Sequence, residues 1–498
     1  MMSEPVFNVS ASRIRGSYPR QAPFHPSEHY PEYPLGELSA EPNEVYDAVR
    51  RNFLLLGWDR EHVNTPEWNP LKHLVTPGDV VFIKPNLVDD QHRFGGDVFC
   101  VITHPSVVRA VADYVAIALK GRGKIIIGDN PHVDAHFDRI LELCHLGELQ
   151  ELYRRRFGIE CEVLDLRHYH MPDLRYYGFK TGRVALPGDP LGFTELNLGE
   201  KSLFRGIPFY LFRGTYNDRF ETFRYHTSRK HSYVFSNSIL NADVFISVPK
   251  LKAHAKVGVT LNVKGLIGTI ANKNCLVHWR IGFPRFGGDE YPNPARKRDY
   301  LKLLFQHLLT DFIPERIYFR LRNHFNERPI GKRYHDWIAI GSQKKRMLRG
   351  AAETNDTTWR MTVDVYNAFV KDDAGYRKQN RRPLKALSVI DGIIGGDTDG
   401  PHFPHPVASK TIISGDDLLA TDVVATRLAD YDLRAVKYLQ HLFDQDIRRH
   451  DRIRFVSTDI PPDGLWNPAR RHLKFRPPHR WPHLSLHDLE PGDSFLPL

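Results

Sequence analysis

The sequence has few cysteines, and their spacing forms no recognisable site. Its 498 residues include Cys100, Cys144, Cys161 and Cys275, with no CxxC motif. This excludes a ferredoxin-type cassette and a zinc site made of cysteine alone, and it is typical of a reducing compartment. We therefore expect no iron–sulfur cluster and a cytoplasmic location.

Long apolar runs are also missing. No stretch approaches the ~20 residues that a membrane-spanning helix needs. The best candidate, residues 107–119, contains Arg109 and Asp113. The N-terminus has an early Glu4 and lacks the apolar segment of a signal peptide. The sequence therefore predicts no membrane span.

Several motifs of common protein classes are absent. The chain has no P-loop, no GxGxxG and no GxSxG, and it has no zinc finger or long Lys/Arg block. Its formal net charge is nevertheless +10. We expect no specific nucleic acid as a partner; an anionic small molecule is the expected ligand, and a solvated basic surface is the alternative.

Short β-branched runs alternate with helical patterns along much of the chain. The runs read as buried strands, and they lie at 79–83, 124–128, 161–166, 242–249, 384–390 and 410–415. This alternation predicts an α/β fold with a largely parallel, doubly wound sheet. Asn43 is expected to cap one helix, and Pro105 to lie in the first turn of another.

Composition divides the chain into three regions. Residues 1–42 read as an extended N-terminal arm, 43–445 as the α/β domain, and 446–498 as a basic C-terminal tail. Two insertions are expected in the domain: a loop-rich one at about 167–235 and a helical one at about 296–380.

Polar residues follow several of the predicted strands, namely Lys84 with Asn86, Asp129, Lys250 and Asp391. In open α/β sheets, ligands bind beyond the carboxyl ends of the strands. We therefore expect these side chains to share one site. The alternative is that each of them caps a helix or a turn.

Cations alternate after the fourth predicted strand. Lys250, Lys252, His254 and Lys256 would lie on one face of a strand, which must then be solvated or bind a ligand. Lys264, flanked by glycine, is predicted to begin a helix and to offer an ammonium and backbone N–H groups to a phosphate.

Carboxylates cluster in a glycine-rich segment, 391–401. Asp391, Asp397 and Asp399 suit a hard divalent cation, and Asp129 is a further candidate ligand. Magnesium is the predicted ion. The alternative is a loop whose aspartates form Asx turns.

Two histidines stand beside lysine- and glycine-rich segments. His254 and His278 are candidates for proton transfer near neutral pH, and Asp391 is a candidate general base. Arg280 is a further candidate for contacting the substrate. A structural role is the alternative for each histidine.

Six segments together resemble the domain-of-unknown-function 362 family. They are IKPNLV (83–88), THPSVVRAV (103–111), IIGDNP (126–131), ADVFISVPKLKAHAKVGVTLNVKGLIGTIANK (242–273), VIDGIIGGDTDGP (389–401) and GDDLLATDVVATRL (415–428). LVHWRIG and NDTTWRM resemble a subgroup often encoded among cell-surface polysaccharide genes, which implies a role in polysaccharide biosynthesis.

The chain departs from the family's pattern in two places. Lys264-Gly265-Leu266 replaces a Lys-Asn-Leu-Gly-like run, and residues 396–401 carry Asp397 and Asp399 in a run that has Glu in the subgroup. Asp is one methylene shorter than Glu, so the geometry of a metal or a base there would differ.

Two functions from different classes remain open. The first is an enzyme that acts, with a divalent metal, on a phosphorylated or carboxylated metabolite, of which a sugar- or nucleotide-linked one is the narrower option. The second is a non-catalytic binding or regulatory protein that holds an acidic ligand or polymer on the basic, aromatic segment 175–235.

Overall fold

A computed structural model describes residues 6–172, 182–215, 218–292, 297–313, 317, 320, 349–380 and 383–486. Seventeen strands lie in these residues: β1 (Phe7–Arg13), β2 (Val80–Pro85), β3 (Lys124–Asp129), β4 (Glu160–Asp165), β5 (Tyr169–His170), β6 (Val184–Ala185), β7 (Phe193–Asn197), β8 (Phe212–Gly214), β9 (Ser232–Ser236), β10 (Val244–Val248), β11 (Lys250–His254), β12 (Gly258–Val259), β13 (Val277–Arg280), β14 (Lys385–Asp397), β15 (His405–Val407), β16 (Thr411–Gly415) and β17 (Ile453–Ser457).

One large sheet organises the described residues. Its strand order is β17-β1-β16-β14-β10-β2-β3-β4, and β11, β12 and β15 attach beside β14. Strands β14, β10, β2, β3 and β4 run parallel, whereas β16 is antiparallel to both β14 and β1. The predicted α/β class with a largely parallel sheet is confirmed.

The two faces of the sheet are buried in two separate cores. Val81 and Ile83 contribute to one core, and Phe82, between them in sequence, contributes to the other. Successive side chains of a strand point to opposite faces, so a continuous apolar run needs cover on both. Helices supply that cover, as in a doubly wound fold.

Helices connect the strands and cover the sheet. Their bounds are Glu44–Leu56, Pro105–Leu119, Phe137–Leu143, Leu146–Leu152, Arg219–Tyr225, Asn237–Leu240, Leu261–Gly265, Lys297–Phe312, Thr358–Phe369, Tyr376–Asn380, Leu418–Leu428, Lys437–Leu442 and Pro462–Leu465. The Asn43 side chain accepts from Tyr46 N–H, and Pro105 occupies the first turn of its helix, as expected.

The arm and the tail both contribute strands to the large sheet. Residues 7–13 form β1, which pairs antiparallel with β16, and residues 453–457 form β17, which pairs parallel with β1. These strands lie in the segments that the sequence assigned to an arm and a tail. The alternation of apolar and polar residues in these two segments is short. Their strand structure therefore depends on pairing with strands that are distant in sequence. Residues 1–5 and 487–498 lie outside the described residues.

The region of the first predicted insertion contains small sheets. Pairs β5–β6 and β7–β9 form two of them, and β8 pairs with β13 in a third. Much of the second insertion, 314–348, lies outside the described residues apart from 317 and 320. In the described part of the chain, no helix is long and apolar enough to cross a membrane.

Candidate anion-binding site

Two buried ion pairs lie near the carboxyl ends of β2, β3 and β10. Lys84 of β2 lies 2.8 Å from Asp129 of β3, and Lys250 of β11 lies 2.5 Å from Asp391 of β14. All four residues are at most 4% exposed. Because β14, β10, β2 and β3 are adjacent and parallel, their ends meet along one edge of the sheet. The structure thus joins the four predicted residues in two ion pairs of one sheet. That the two pairs share one site stays a prediction.

Asp391 is saturated with hydrogen bonds. Its two oxygens accept from Tyr18 Oη (2.6 Å), Lys250 Nζ and the backbone N–H groups of His104 and Ile393. Lys250 also donates to Tyr18 Oη at 2.9 Å. In this arrangement Asp391 orients Lys250 and has no oxygen left to act as a base.

Six lysines gather around these strand ends, and we call them the lysine cluster: Lys84, Lys250, Lys252, Lys256, Lys264 and Lys273. Lys84 and Lys250 have carboxylate partners. The other four form no ion pair with any described residue. Lys252, Lys264 and Lys273 are at most 8% exposed, and Lys256 is partly exposed. The cluster therefore carries more buried cationic groups than anionic ones.

Burial and mutual repulsion lower the pKa values of the unpaired lysines. Burial is the main cause for each. It lowers the pKa of Lys252 and of Lys273 to about 7 and that of Lys264 to about 8. Neighbouring lysines lower these values further, whereas Asp129 opposes the shift at Lys264 and Lys273. An anion placed here would reverse the shifts by favouring the ammonium forms.

Backbone carbonyls hold two of the four unpaired lysines. Lys252 Nζ donates to Val101 O at 2.6 Å and to Pro401 O at 3.3 Å, and Lys273 Nζ donates to Asn130 O at 2.7 Å. Lys256 Nζ lies 4.8 Å from the centre of the Trp279 ring, a cation–π distance. These contacts orient the amines without neutralising their charge.

The segment from Leu261 to Thr269 covers the ends of β2 and β3. A Cβ atom on Gly268 would lie 2.0 Å from Asp129 Oδ1 and 2.6 Å from Lys84 Nζ, so any larger residue would displace these two side chains. Asn86 Oδ1 lies beside Gly265, 3.5 Å from where its Cβ would be. Asn86 therefore lies beside the segment that covers these strand ends, and its role in substrate binding stays a prediction.

The expectation that Lys264 begins a helix is wrong. Lys264 lies near the end of the five-residue helix Leu261–Gly265. The N–H groups of Asn262 and Val263 at its start donate to the Asp422 carboxylate, both at 2.8 Å. These groups are unavailable to a phosphate, so Lys264 can contribute only its side chain.

The two candidate histidines adopt different tautomers in their neutral forms. His254 Nδ1 accepts from Lys256 N–H at 3.1 Å, which leaves its proton on Nε2. His278 Nδ1 lies 2.9 Å from Leu276 O and donates to it, which leaves Nε2 unprotonated. Burial, and then the charges of nearby lysines, hold both pKa values well below the usual value. His254 is thus a hydrogen-bond donor, and His278 is a proton acceptor.

Arg280 belongs to a different ion-pair network. Its guanidinium lies 3.1 Å from Asp356 and 3.8 Å from Asp289. Arg360 also contacts Asp356, at 3.2 Å. Among the described residues, no hydrogen bond or ion pair joins Arg280 to the lysine cluster.

The other two predicted metal ligands have basic partners of their own. Arg476 contacts both oxygens of Asp397, at 2.9 and 3.1 Å, and His479 Nδ1 lies 2.6 Å from Asp399. Among the described residues, no group of three or more histidine, cysteine, aspartate or glutamate side chains is arranged to hold a metal ion. Magnesium binding at Asp129, Asp391, Asp397 and Asp399 stays a prediction.

The comparison with known families concerns most of the chain. Residues 81–185 and 197–427 match the family described as Domain of unknown function (DUF362). The chain belongs to this family. All six members of the lysine cluster fall within the matched ranges.

A curated relative from Synechocystis sp. is named a thylakoid-associated protein. It is 27% identical to this DUF362 protein over 201 residues, which cover 40% of this chain and 42% of the relative. The match thus spans about two fifths of the length of each protein. It supports common ancestry over that part.

Sequence reasoning missed two residues of the site. Lys273 is the last residue of a segment that resembles the family. Only the folded chain brings its ammonium to the Asn130 carbonyl, at the end of β3. Tyr18 lies in the N-terminal arm, more than 200 residues from Lys250 and Asp391. No local pattern marked either residue; only the tertiary contacts identify them.

Proposed function

We propose that this DUF362 protein binds a small, multiply charged anion in the lysine cluster and acts on it as an enzyme. The observation that carries the proposal is the set of four lysines that have no carboxylate partner among the described residues. Buried charges in proteins are normally paired, because an unpaired one is strongly penalised by desolvation. A phosphorylated or carboxylated ligand would supply the missing negative charge.

The competing explanation is that these lysines are simply neutral amines. Their lowered pKa values are compatible with that state near pH 7 and above. Four such groups beside two histidines nevertheless form an uncommon core, and amines without a ligand contribute little to packing. Shifted groups concentrated at strand ends are typical of functional sites.

A specific observation favours an enzyme over a passive binding protein. His278 presents an unprotonated Nε2 within the electrostatic field of Lys256 and Lys264. A neutral imidazole with one nitrogen fixed by a carbonyl is the arrangement of a general base. The residues that hold the anion thus stand beside a group able to move a proton.

The alternative, an acidic polymer held on segment 175–235, has weaker support. Several of its described cations already have acidic partners: Arg183 with Asp218 and Glu221, and Lys230 with Glu195. Residues 175–181 and 216–217 lie outside the described residues. The lysine cluster offers a larger excess of unpaired positive charge.

Calorimetric titration with inorganic phosphate, pyrophosphate and citrate tests the proposal. We expect at least one anion to bind, and Lys256→Met to weaken it by roughly 10- to 150-fold, the value of one charge-assisted contact of ~1.5–3 kcal/mol. Lys124→Met is the matched control. Lys124 lies at the amino end of β3, whereas Asp129 ends that strand, and it pairs with Glu160 and Glu162.

Two results would contradict the proposal. One is the absence of binding heat and of thermal stabilisation with all three anions between pH 6 and 8. The other is equal affinity in the wild type, Lys256→Met and Lys124→Met. Adding Mg²⁺ to the same titrations tests the proposed metal: tighter anion binding with Mg²⁺ would support it.

Two finer assignments remain part of the proposal. A place in polysaccharide biosynthesis rests on the subgroup resemblance of LVHWRIG and NDTTWRM. A cytoplasmic location is supported by the four cysteines, which are all buried and unpaired. The thylakoid association of the relative is a property of that protein.

A further inference from the structure

Lys264 differs from the rest of the lysine cluster in its contacts. Lys84 and Lys250 are paired with carboxylates, Lys252 and Lys273 donate to carbonyls, and Lys256 lies over an aromatic ring. The structure gives Lys264 Nζ no hydrogen bond, ion pair or aromatic partner among the described residues. Its residue is nevertheless only 8% exposed.

Lys264 also stands at the electrostatic centre of the site. Its charge lowers the pKa of five surrounding groups: Lys252, His254, Lys256, Lys273 and His278. The Lys84–Asp129 pair acts on it from another side. An anion bound among these five groups would therefore lie within the field of the Lys264 amine.

We propose that Lys264 Nζ is an amine nucleophile that forms an imine with a carbonyl group of the bound anion. This inference rests on the proposed function, because the other lysines must hold the anionic part of the ligand. A desolvated lysine surrounded by cations has the environment that activates an amine for this reaction. Lys264 is the one member of the cluster whose Nζ no described group holds.

The step is balanced without a further reactant. The nitrogen lone pair attacks the carbonyl carbon, and a C=N bond replaces the C=O bond. The two amine protons leave with the carbonyl oxygen as water. His278, whose Nε2 is unprotonated in the neutral imidazole and whose pKa is lowered by Lys264, would be the acceptor that carries a proton from nitrogen to oxygen.

The chemistry defines the class of substrate. It is a small aldehyde or ketone that carries a phosphate or a carboxylate, such as a 2-oxo acid or a phosphorylated aldehyde. The anionic group would contact Lys252, Lys256 and Lys273, with the His254 Nε2–H as a further donor. The carbonyl carbon would then lie against Lys264.

Trapping with borohydride tests the inference directly. Pyridoxal phosphate serves as the probe, since it combines an aldehyde with a phosphate and its imine is visible by absorbance. We expect reduction to fix the probe on Lys264 of the wild-type protein, as located by peptide mass spectrometry. Excess inorganic phosphate should suppress the labelling, because it competes for the same cations.

Variants separate the nucleophile from its neighbours. Lys264→Met should lose the label by at least about tenfold, since the amine itself is removed. Lys256→Met should keep labelling at Lys264 but require a higher probe concentration, and Lys124→Met should behave as the wild type. The peptide map of the wild-type protein does not depend on the folding of any variant, so it tests the inference by itself.

The outcomes distinguish this inference from the proposed function. If phosphate binds in calorimetry but the probe labels other lysines or none, the imine is overturned and the anion site stands. If neither phosphate nor the probe binds, both fail. Labelling that excess phosphate does not suppress would also overturn the inference, because the reactive amine would then lie outside the anion site.

Discussion

The glycine-rich segment 391–401 and the lysine segment 250–273 lie side by side but balance their charges differently. Each aspartate of the first has a basic partner: Lys250 for Asp391, Arg476 for Asp397 and His479 for Asp399. In the second, Lys252, Lys256, Lys264 and Lys273 have no acidic partner among the described residues. The aspartates of the first segment are thus all paired, whereas four lysines of the second segment are not paired with any described acidic residue.

The contrast separates structural from functional charge. A balanced pair stabilises the fold only when both partners are present, and removal of either leaves a buried charge. An unbalanced cation destabilises the free protein and is useful only when a ligand completes it. Removal of a charged side chain should therefore destabilise the free protein when that charge is paired, as at Asp391. It should stabilise the free protein when the charge is unpaired, as at Lys252.

The largest effect is expected at Asp391. Asp391→Ala would leave Lys250 buried without its partner and remove the acceptor of Tyr18 and of two backbone N–H groups. We expect a loss of ~3–5 kcal/mol in unfolding free energy, measured by urea denaturation. The double variant Lys250→Met/Asp391→Leu should recover part of it. Equal stability of Asp391→Ala and the wild type would refute the structural role.

Gly268→Ala should disturb the contact between the Leu261–Thr269 segment and the Lys84–Asp129 pair. The added Cβ would meet Asp129 Oδ1 at 2.0 Å and displace the Lys84–Asp129 pair. We expect ~1–3 kcal/mol of destabilisation, typical of overpacking, together with weaker phosphate binding. Gly265→Ala is the control, since its Cβ has ordinary contact distances and should change stability by less than ~1 kcal/mol. Identical behaviour of the two variants would contradict the prediction.

The pH dependence of stability should reveal the unbalanced lysines. The pKa of Lys252 is about 7 in the folded protein against 10.5 ordinarily. Between these values the unfolded state binds more protons, so stability rises with pH, by up to ~1.4 kcal/mol per pH unit for one group. Lys252→Met should therefore show a shallower rise between pH 7 and 9.

Other groups titrate in the same window, so the difference between the two proteins is the relevant measurement. Urea denaturation at each pH gives both curves. Parallel curves for the wild type and Lys252→Met would show that Lys252 titrates normally. Saturating phosphate should flatten the wild-type curve, because a bound anion restores the ammonium form.

The smallest effect is expected at Asp399. Its partner His479 is partly exposed, and such pairs contribute ~0–1 kcal/mol. Asp399→Asn keeps an oxygen that can accept from His479 N–H, so we expect a change of less than ~1 kcal/mol in unfolding free energy. A loss as large as that of Asp391→Ala would mean that the loop depends on this charge.

The sequence predicted the parts of the fold that local pattern determines. The β-branched runs from Val80 to Ile83 and from Val244 to Val248 have the composition of buried parallel strands, and they form them. Lys84, Asp129, Lys250 and Asp391 follow such runs, so their meeting at one edge could be expected. Residues 314–348 of the second insertion lie outside the described residues, apart from 317 and 320.

The remaining features depend on partners far away in sequence. Arg476 reaches Asp397 across 79 residues, and Asp422 reaches the start of the Leu261–Gly265 helix across 160. Periodicity and capping rules cannot find such partners, because they describe neighbours within a few residues. The same limit explains why Tyr18 and Lys273 were missed.

The position of β1 has a consequence for biosynthesis. Val9 pairs with Gly415, so the neighbouring strands β1 and β16 are about 400 residues apart along the chain. At ~5–20 residues per second, a ribosome needs roughly 20–80 s after making β1 to produce β16. During that interval the nascent β1 has no β16 to pair with, and Tyr18 has no Asp391 to bind. The β1–β16 pairing and the Tyr18–Asp391 hydrogen bond can therefore form only after most of the chain has been made.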